Sequence, residues 1–237
     1  MKKGTMKNNY KIFTLAVMLG GTSYGALVHQ YDLNNSLADN LGGPSVVSNG
    51  GVLGATGYTF NFAQGLSLSN AGISNVYTID MLISFDTVCS NKWCKVIDFS
   101  NLTSDNGLYN SPSNFEAFWV GGIIGTGTVA VGTNPAQITL SRDAAGNVKS
   151  YLNGALQFSF VDTTNQAVFS AANNIMWFLQ DEGNQGNPGE HPKGFVDYIK
   201  IYDKADALST TPEPASFLLC LGGLAGVCGL KRRRARN

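Results

Sequence analysis

The stretch ITLSRDAAGNVKSYLNGAL, residues 138–156, decides the fold. It reads as a strand, a glycine-containing turn, a second strand and a hairpin turn at Asn153-Gly154. Asn and Gly both tolerate positive φ, which a two-residue turn between antiparallel strands requires. NVKSYLN (147–153) and ALQFSFV (155–161) flank that turn, and AQITLSRD (136–143) precedes them.

The pattern extends in both directions. YTFNF (58–62) alternates aromatics with small polar residues, and VYTIDMLISFD (76–86) places Tyr77, Ile79, Met81, Ile83 and Phe85 on one face. WCKVIDFS (93–100), NFEAFWV (114–120), NIMWFLQ (174–180) and GFVDYIKIYD (194–203) read as further strands. Between Ala26 and Leu208 apolar residues alternate rather than recur at helical spacing, and the connections are rich in Gly, Asn, Asp, Ser and Thr. Many short strands without crossover helices predict an all-β, antiparallel β-sandwich of the jelly-roll kind over residues 26–208. No repeat of fixed period is present, which argues against a propeller or solenoid.

The hairpin stretch, the closing strand GFVDYIKIYDKADALS (194–209) and the opening VHQYDLNNSLADN (28–40) together resemble the concanavalin-A-like, laminin-G-like jelly-roll superfamily. KADALS carries two residues more than that family's closing pattern, which enlarges a terminal loop. The resemblance implies a sandwich of a kind that serves both lectins and glycanases, so it does not by itself choose between binding and catalysis.

Charge is segregated along the chain. Four lysines lie in the first eleven residues and five basic residues in the last seven, while Ala26–Thr210 holds seven basic against fifteen acidic residues. An acidic body argues against nucleic acid as a partner, because phosphate binding needs a basic patch. Residues 1–25 follow the order of a secretory signal peptide: lysines, the apolar run Ile12–Gly20, then small residues. Cleavage after Gly25 or after Ala26 fits that order.

Residues 209–237 form a second address. Pro212, Glu213 and Pro214 precede an uncharged run, Ala215–Leu230, and the cluster Lys231–Arg236. A helix of that length is marginal for a membrane, and the basic cluster would stay on the cytoplasmic side. This tail resembles the PEP-CTERM sorting signal. The resemblance implies transient inner-membrane anchorage, recognition by an exosortase, and a final position at the cell surface or in the polysaccharide matrix of a Gram-negative-type bacterium. A permanent C-terminal anchor is the alternative reading.

Export frees Cys89 and Cys94, which enclose SNKW, to form a disulfide that closes a hairpin loop; two unpaired thiols are the alternative. The acidic, glycine-framed stretch DEGNQGNPGEHPKGFVD (181–197) suits calcium, with Asp181, Glu182 and Asp197 as first candidates and Asp32 or Asp39 as contributors; a solvated acidic loop is the alternative. Trp93, Tyr109 and Asn110 form the candidate sugar-binding set, since glycans are held by exposed aromatics beside amides; ordinary packing is the alternative. Trp119 and Trp177 lie in apolar strands and read as core.

A retaining glycosidase needs two carboxylates about 5 Å apart. Glu116, Glu182 and Glu190 show no such pairing. His29, beside the cleavage site, reads as mobile, and His191 as a solvated loop residue. The expectation is a non-enzymatic exported module that binds glycan or joins the extracellular matrix. A glycan-processing enzyme and a purely structural surface protein are the rival readings.

Overall fold

A computed structural model describes residues 25–87, 89, 93–104, 106–111, 115–118, 122–132, 134–169, 175–181 and 190–205. Those residues form two stacked antiparallel sheets, with no helix among them long and apolar enough to cross a membrane. The signal segment and the sorting tail, including Pro212, Glu213 and Pro214, lie outside the described residues.

The first sheet has eight strands: β1 (Leu27–Tyr31), β3 (Val52–Leu53), β4 (Tyr58–Phe60), β6 (Tyr77–Thr87), β11 (Ala136–Arg142), β12 (Asn147–Leu152), β13 (Ala155–Val161) and β15 (Lys193–Tyr202). Its order is β13-β12-β11-β6-β15-β4-β3, and β1 also pairs with β15. The second has seven: β2 (Val47–Asn49), β5 (Gly65–Leu68), β7 (Cys94–Asp98), β8 (Gly107–Asn110), β9 (Phe115–Phe118), β10 (Ile123–Ile124) and β14 (Met176–Phe178). Its order is β10-β9-β8-β7-β14-β5-β2. The fold is the antiparallel β-sandwich jelly roll expected from the sequence.

The sequence 138–156 behaves as its pattern dictates. Asn153 and Gly154 adopt φ values of 50° and 78°, and the Asn153 side chain accepts a hydrogen bond from the Gln137 amide at 2.9 Å. The preceding turn is organised by Asp143, whose carboxylate accepts the Ala145 and Asn147 amides at 2.9 and 2.8 Å. Burial works against that carboxylate, yet the hydrogen bonds from Asn147 and Ala145 outweigh it and hold its pKa below the usual range.

The core lies between the sheets. Tyr77, Ile79, Met81, Ile83 and Phe85 of β6 all point into it, joined by Ile138 and Leu140 and faced by Leu66, Leu68, Ile97, Leu108, Met176 and Phe178. In β15 a register shift between Val196 and Tyr198 resets the alternation, so that Val196, Ile199 and Ile201 are all buried. Tyr58 ties the two sheets at one edge. Its hydroxyl donates to the Gly65 carbonyl at 2.9 Å, accepts the Gly51 amide at 2.9 Å and meets the Ser48 hydroxyl at 3.0 Å.

His29 is not mobile: it is buried in β1. Its ring nitrogens lie 2.7 Å from the Asp39 carboxylate and 2.7 Å from the Ala71 carbonyl. Both face acceptors, an arrangement that a doubly protonated ring satisfies. Burial opposes the Asp39 charge, but the Gln30 amide, His29 and the Leu41 amide together hold its pKa below the ordinary carboxylate range. An early strand end is thereby pinned to the sandwich.

Candidate functional site

The face of the second sheet that points away from the core carries its unusual chemistry. Strand β7 starts at the disulfide, where Cys89 and Cys94 are joined with their Cα atoms 5.5 Å apart. Cys94 and Ile97 point inward, while a register shift between Lys95 and Ile97 turns both Lys95 and Asp98 outward. Tyr109 pairs directly with Lys95 across β8, and Trp177 of β14 pairs with Asp98. Trp93, half-buried, meets the Tyr109 ring edge-on at 6.3 Å.

Beneath these rings lies a buried polar cluster. The Lys95 Nζ is 3.0 Å from the Asp181 Oδ1 and 3.5 Å from the Asp98 Oδ2, with side-chain exposures of 0 %, 1 % and 0 % respectively. It also donates to the Asn106 carbonyl at 3.3 Å and sits 4.3 Å from the centre of the Tyr109 ring. The Tyr109 hydroxyl donates to the Asp181 Oδ1 at 3.4 Å. The other Asp98 oxygen accepts the Ser100 and Leu102 amides at 3.0 and 2.9 Å.

Electrostatics follow from burial. Desolvation raises the Asp98 pKa, and the opposing pull of Lys95 and the two amides does not cancel it. His191 is only 3 % exposed, which corrects the expectation of a solvated residue. Burial lowers its pKa; Asp181 opposes that shift and Lys95 adds to it. Its Nδ1 has no hydrogen-bond partner among the described residues.

The structure separates the residues expected to act together. Trp93 and Tyr109 meet, but Tyr109 is buried under the Trp93 ring and not open to a ligand, and Asn110 points to the opposite side of β8. Its side-chain oxygen accepts the Val129 amide at 2.7 Å and the Thr128 hydroxyl at 3.0 Å, and its nitrogen donates to the Val129 carbonyl at 3.2 Å. It helps line a pocket of about 120 Å³ with Phe85, Thr87 and Cys94. That volume is well below the several hundred Å³ of a small-molecule site. Asn110 therefore holds a connecting segment instead of completing the aromatic pair.

The calcium set is also divided. Asp181 is engaged by Lys95 after β14, Asp197 sits at the register shift of β15 in the other sheet, and Glu182 lies outside the described residues. The Asp32 oxygens accept from Gln30 at 2.8 Å and Asn40 at 2.5 Å, and both Asp39 oxygens are engaged by His29 and by backbone amides. Among the described residues no three His, Cys, Asp or Glu side chains gather into a metal cage.

Three residues escape the sequence reading. Lys95 and Asp98 lie inside an apolar strand, WCKVIDFS, and a lysine flanked by Cys and Val is the one signal that could have found them. Trp177 is not core: it is half-buried on the outer face, and its Nε1 donates to the Asn101 side chain at 2.9 Å. Trp119 lies outside the described residues, and Glu116 falls within β9.

No family model matches the chain, and no curated protein matches it. Solved structures do share its fold. Domain 4 of AbnA, an extracellular arabinanase from Geobacillus stearothermophilus solved with arabinotriose, is 17 % identical at a TM-score of 0.58, over 77 % of this chain and 95 % of that one. A botulinum neurotoxin type C structure, described as interacting with two ganglioside molecules, is 15 % identical at a TM-score of 0.58, over 78 % of this chain and 49 % of that one. Trypanosoma rangeli sialidase, solved as a covalent intermediate, is 11 % identical at a TM-score of 0.57, over 76 % of this chain and 31 % of that one. The chain thus spans nearly all of the arabinanase domain, about half of the toxin chain and about a third of the sialidase chain. At these identities the likeness establishes the sandwich fold alone.

Proposed function

We propose that this chain is an exported, non-enzymatic β-sandwich that binds glycan through the Trp93–Tyr109 end of its second sheet. The observation that carries the reading is Trp93, half-buried on an outward sheet face and braced edge-on by Tyr109, which is itself only 1 % exposed and supports the ring from below. A sugar stacks its C–H face on such a ring while its hydroxyls find polar partners at the rim. The shared fold with a complete arabinanase domain solved with arabinotriose supports a binding module.

Catalysis is the weaker reading. A glycosidase needs one carboxylate as nucleophile or base and another as acid, both open to the substrate. Asp98 and Asp181 flank one ammonium, and neither side chain is more than 1 % exposed. The sequence of the ends adds the address. An N-terminal signal exports the chain, and the Pro212-Glu213-Pro214 tail delivers it to an exosortase that releases it to the surface or matrix.

A panel of polysaccharides cast into native gels tests the binding. The protein is expected to be retarded in at least one gel and to release no reducing sugar from it; turnover lost on Glu182→Gln or Glu116→Gln would favour the enzyme instead. Intact mass of the exported form tests the address, with loss of Arg232–Arg236 expected and retention of Asn237 the contrary result.

A further inference from the structure

The Lys95 cluster contains more than an ion pair needs. One cation lies between two carboxylates, all three side chains are at most 1 % exposed, and an aromatic ring covers the ammonium at 4.3 Å. Water that would normally hold the three charges apart is excluded. Moving the lysine proton to a carboxylate then removes two buried charges at once and leaves a neutral amine against a neutral acid.

We propose that Lys95 and Asp181 condense into an intramolecular isopeptide bond. The Lys95 Nζ attacks the Asp181 side-chain carbon, a C–N bond forms, and the carboxyl C–O bond breaks. The amine gives up one proton, the acid gives up hydroxyl, and they leave together as one water. No oxidant, reductant or other reactant is consumed.

Each neighbour has a part in that step. The 3.0 Å separation between Nζ and the Asp181 Oδ1 places the reactants in contact, and the fold supplies the orientation that free amine and acid lack in solution. The Tyr109 hydroxyl, 3.4 Å from the same oxygen, is a donor for the charge that develops there as nitrogen adds. Asp98, 3.5 Å from Nζ, carries the proton from nitrogen to the departing hydroxyl. It is suited to a fixed relay because the Ser100 and Leu102 amides anchor its other oxygen. Burial raises its pKa, which keeps it able to hold a proton. Asp181 is the acceptor of choice because it is the nearer carboxylate and because the link it makes joins β7 to the chain beyond β14, its sheet neighbour.

The Arg142–Asp162 pair shows why this chemistry belongs to the lysine cluster and not to every buried ion pair. A guanidinium stays protonated and is not a nucleophile under these conditions. Only a lysine, stripped of water and flanked by a second acid, can make the bond. A covalent loop from residue 95 to residue 181 would also restrict the unfolded chain, raising the melting temperature by roughly 10 °C or more.

The test is the mass of the full chain after denaturation and reduction, followed by tryptic mapping. The expected result is a protein lighter by one water than its own sequence requires. A branched peptide should join the Lys95 and Asp181 segments, with no cleavage after Lys95, because an acylated lysine is not a trypsin site. A full-mass protein with an ordinary cleavage after Lys95 overturns the proposal; this readout needs no variant. Asp98→Asn should leave the two residues unlinked while the Cys89–Cys94 bridge still forms. An Asp98→Asn protein linked as fully and as fast as wild type would remove Asp98 from the mechanism. In Asp181→Asn any residual linkage should cost one ammonia instead of one water, and loss of water from that variant would show that the bond lies elsewhere.

Discussion

Two of the buried charge clusters among the described residues are built on opposite plans. At the turn of the first sheet, Arg142 donates to the Asp162 carboxylate at 3.1 Å, the Asn75 carbonyl at 2.9 Å and the Asn165 side chain at 3.1 Å. Asp162 also accepts the Gln166 and Ala167 amides at 2.7 and 3.0 Å. One cation meets one anion, and the remaining donors and acceptors close on backbone groups and the Asn165 side chain. On the outer face of the second sheet, one cation meets two anions, an aromatic ring and a neighbouring neutral His191. The first cluster is a lock for a connection; the second crowds two acids and an aromatic ring around one lysine. The difference teaches that burial alone does not mark a functional group. A buried ion pair with matched geometry is structural, while surplus acid around a desolvated lysine is where chemistry can occur.

Breaking the closed cluster should have the largest effect on stability. Arg142→Met leaves the Asp162 charge buried without its partner and should cost about 3–5 kcal/mol in urea unfolding. A loss below about 1 kcal/mol would mean that the backbone amides alone satisfy Asp162. Opening the rim of the crowded cluster comes next. Replacing Cys89 and Cys94 by Ser removes a short covalent loop and should lower stability by about 2 kcal/mol, read as a shift of the urea midpoint under oxidising conditions. An unchanged midpoint would show that β7 is held by its strand partners and not by the bridge.

Tyr58→Phe probes a site outside both clusters, where a single hydroxyl joins the edges of the two sheets. It should cost about 1–2 kcal/mol, because the Gly51 amide and Gly65 carbonyl lose a buried partner. The smallest effect is one of pH. The His191 pKa is lowered in the folded state, so the unfolded chain takes up its proton first as pH falls. Its contribution is complete above the unfolded value of about 6.5 and is lost as pH drops toward the folded one. His191→Gln should flatten the thermal stability profile between neutral and mildly acidic pH; an identical slope in both proteins would place the titration elsewhere.

The long strands were legible because alternation is a direct consequence of the pleat. Tyr77 to Phe85 and the pair of strands around Asn153-Gly154 needed no tertiary information. The strands Gly65–Leu68, Gly107–Asn110 and Ile123–Ile124 were not legible, since segments of two to four residues show no period of their own and exist because a neighbour pairs with them. The site was lost to parity. Asn110 is adjacent to Tyr109 in sequence and so must face the other way, and the register shifts at Lys95–Ile97 and Val196–Tyr198 reverse the side of every residue that follows. Trp93 and Tyr109 meet only because Lys95 and Tyr109 are register partners, a fact of pairing that composition does not carry. His191 was misread because a loop beside Pro192 looks solvated until the sheet beneath it is known.

The central claim is that the outer face of the second sheet, and not the locked end of the first, receives the glycan. Affinity electrophoresis of wild type and Trp93→Ala through gels containing the polysaccharide that retards the protein measures this directly. The account predicts about a tenfold or greater loss of apparent affinity for Trp93→Ala, with an unchanged urea midpoint. Equal retardation of the two proteins, or free migration of both through every polysaccharide, would contradict it.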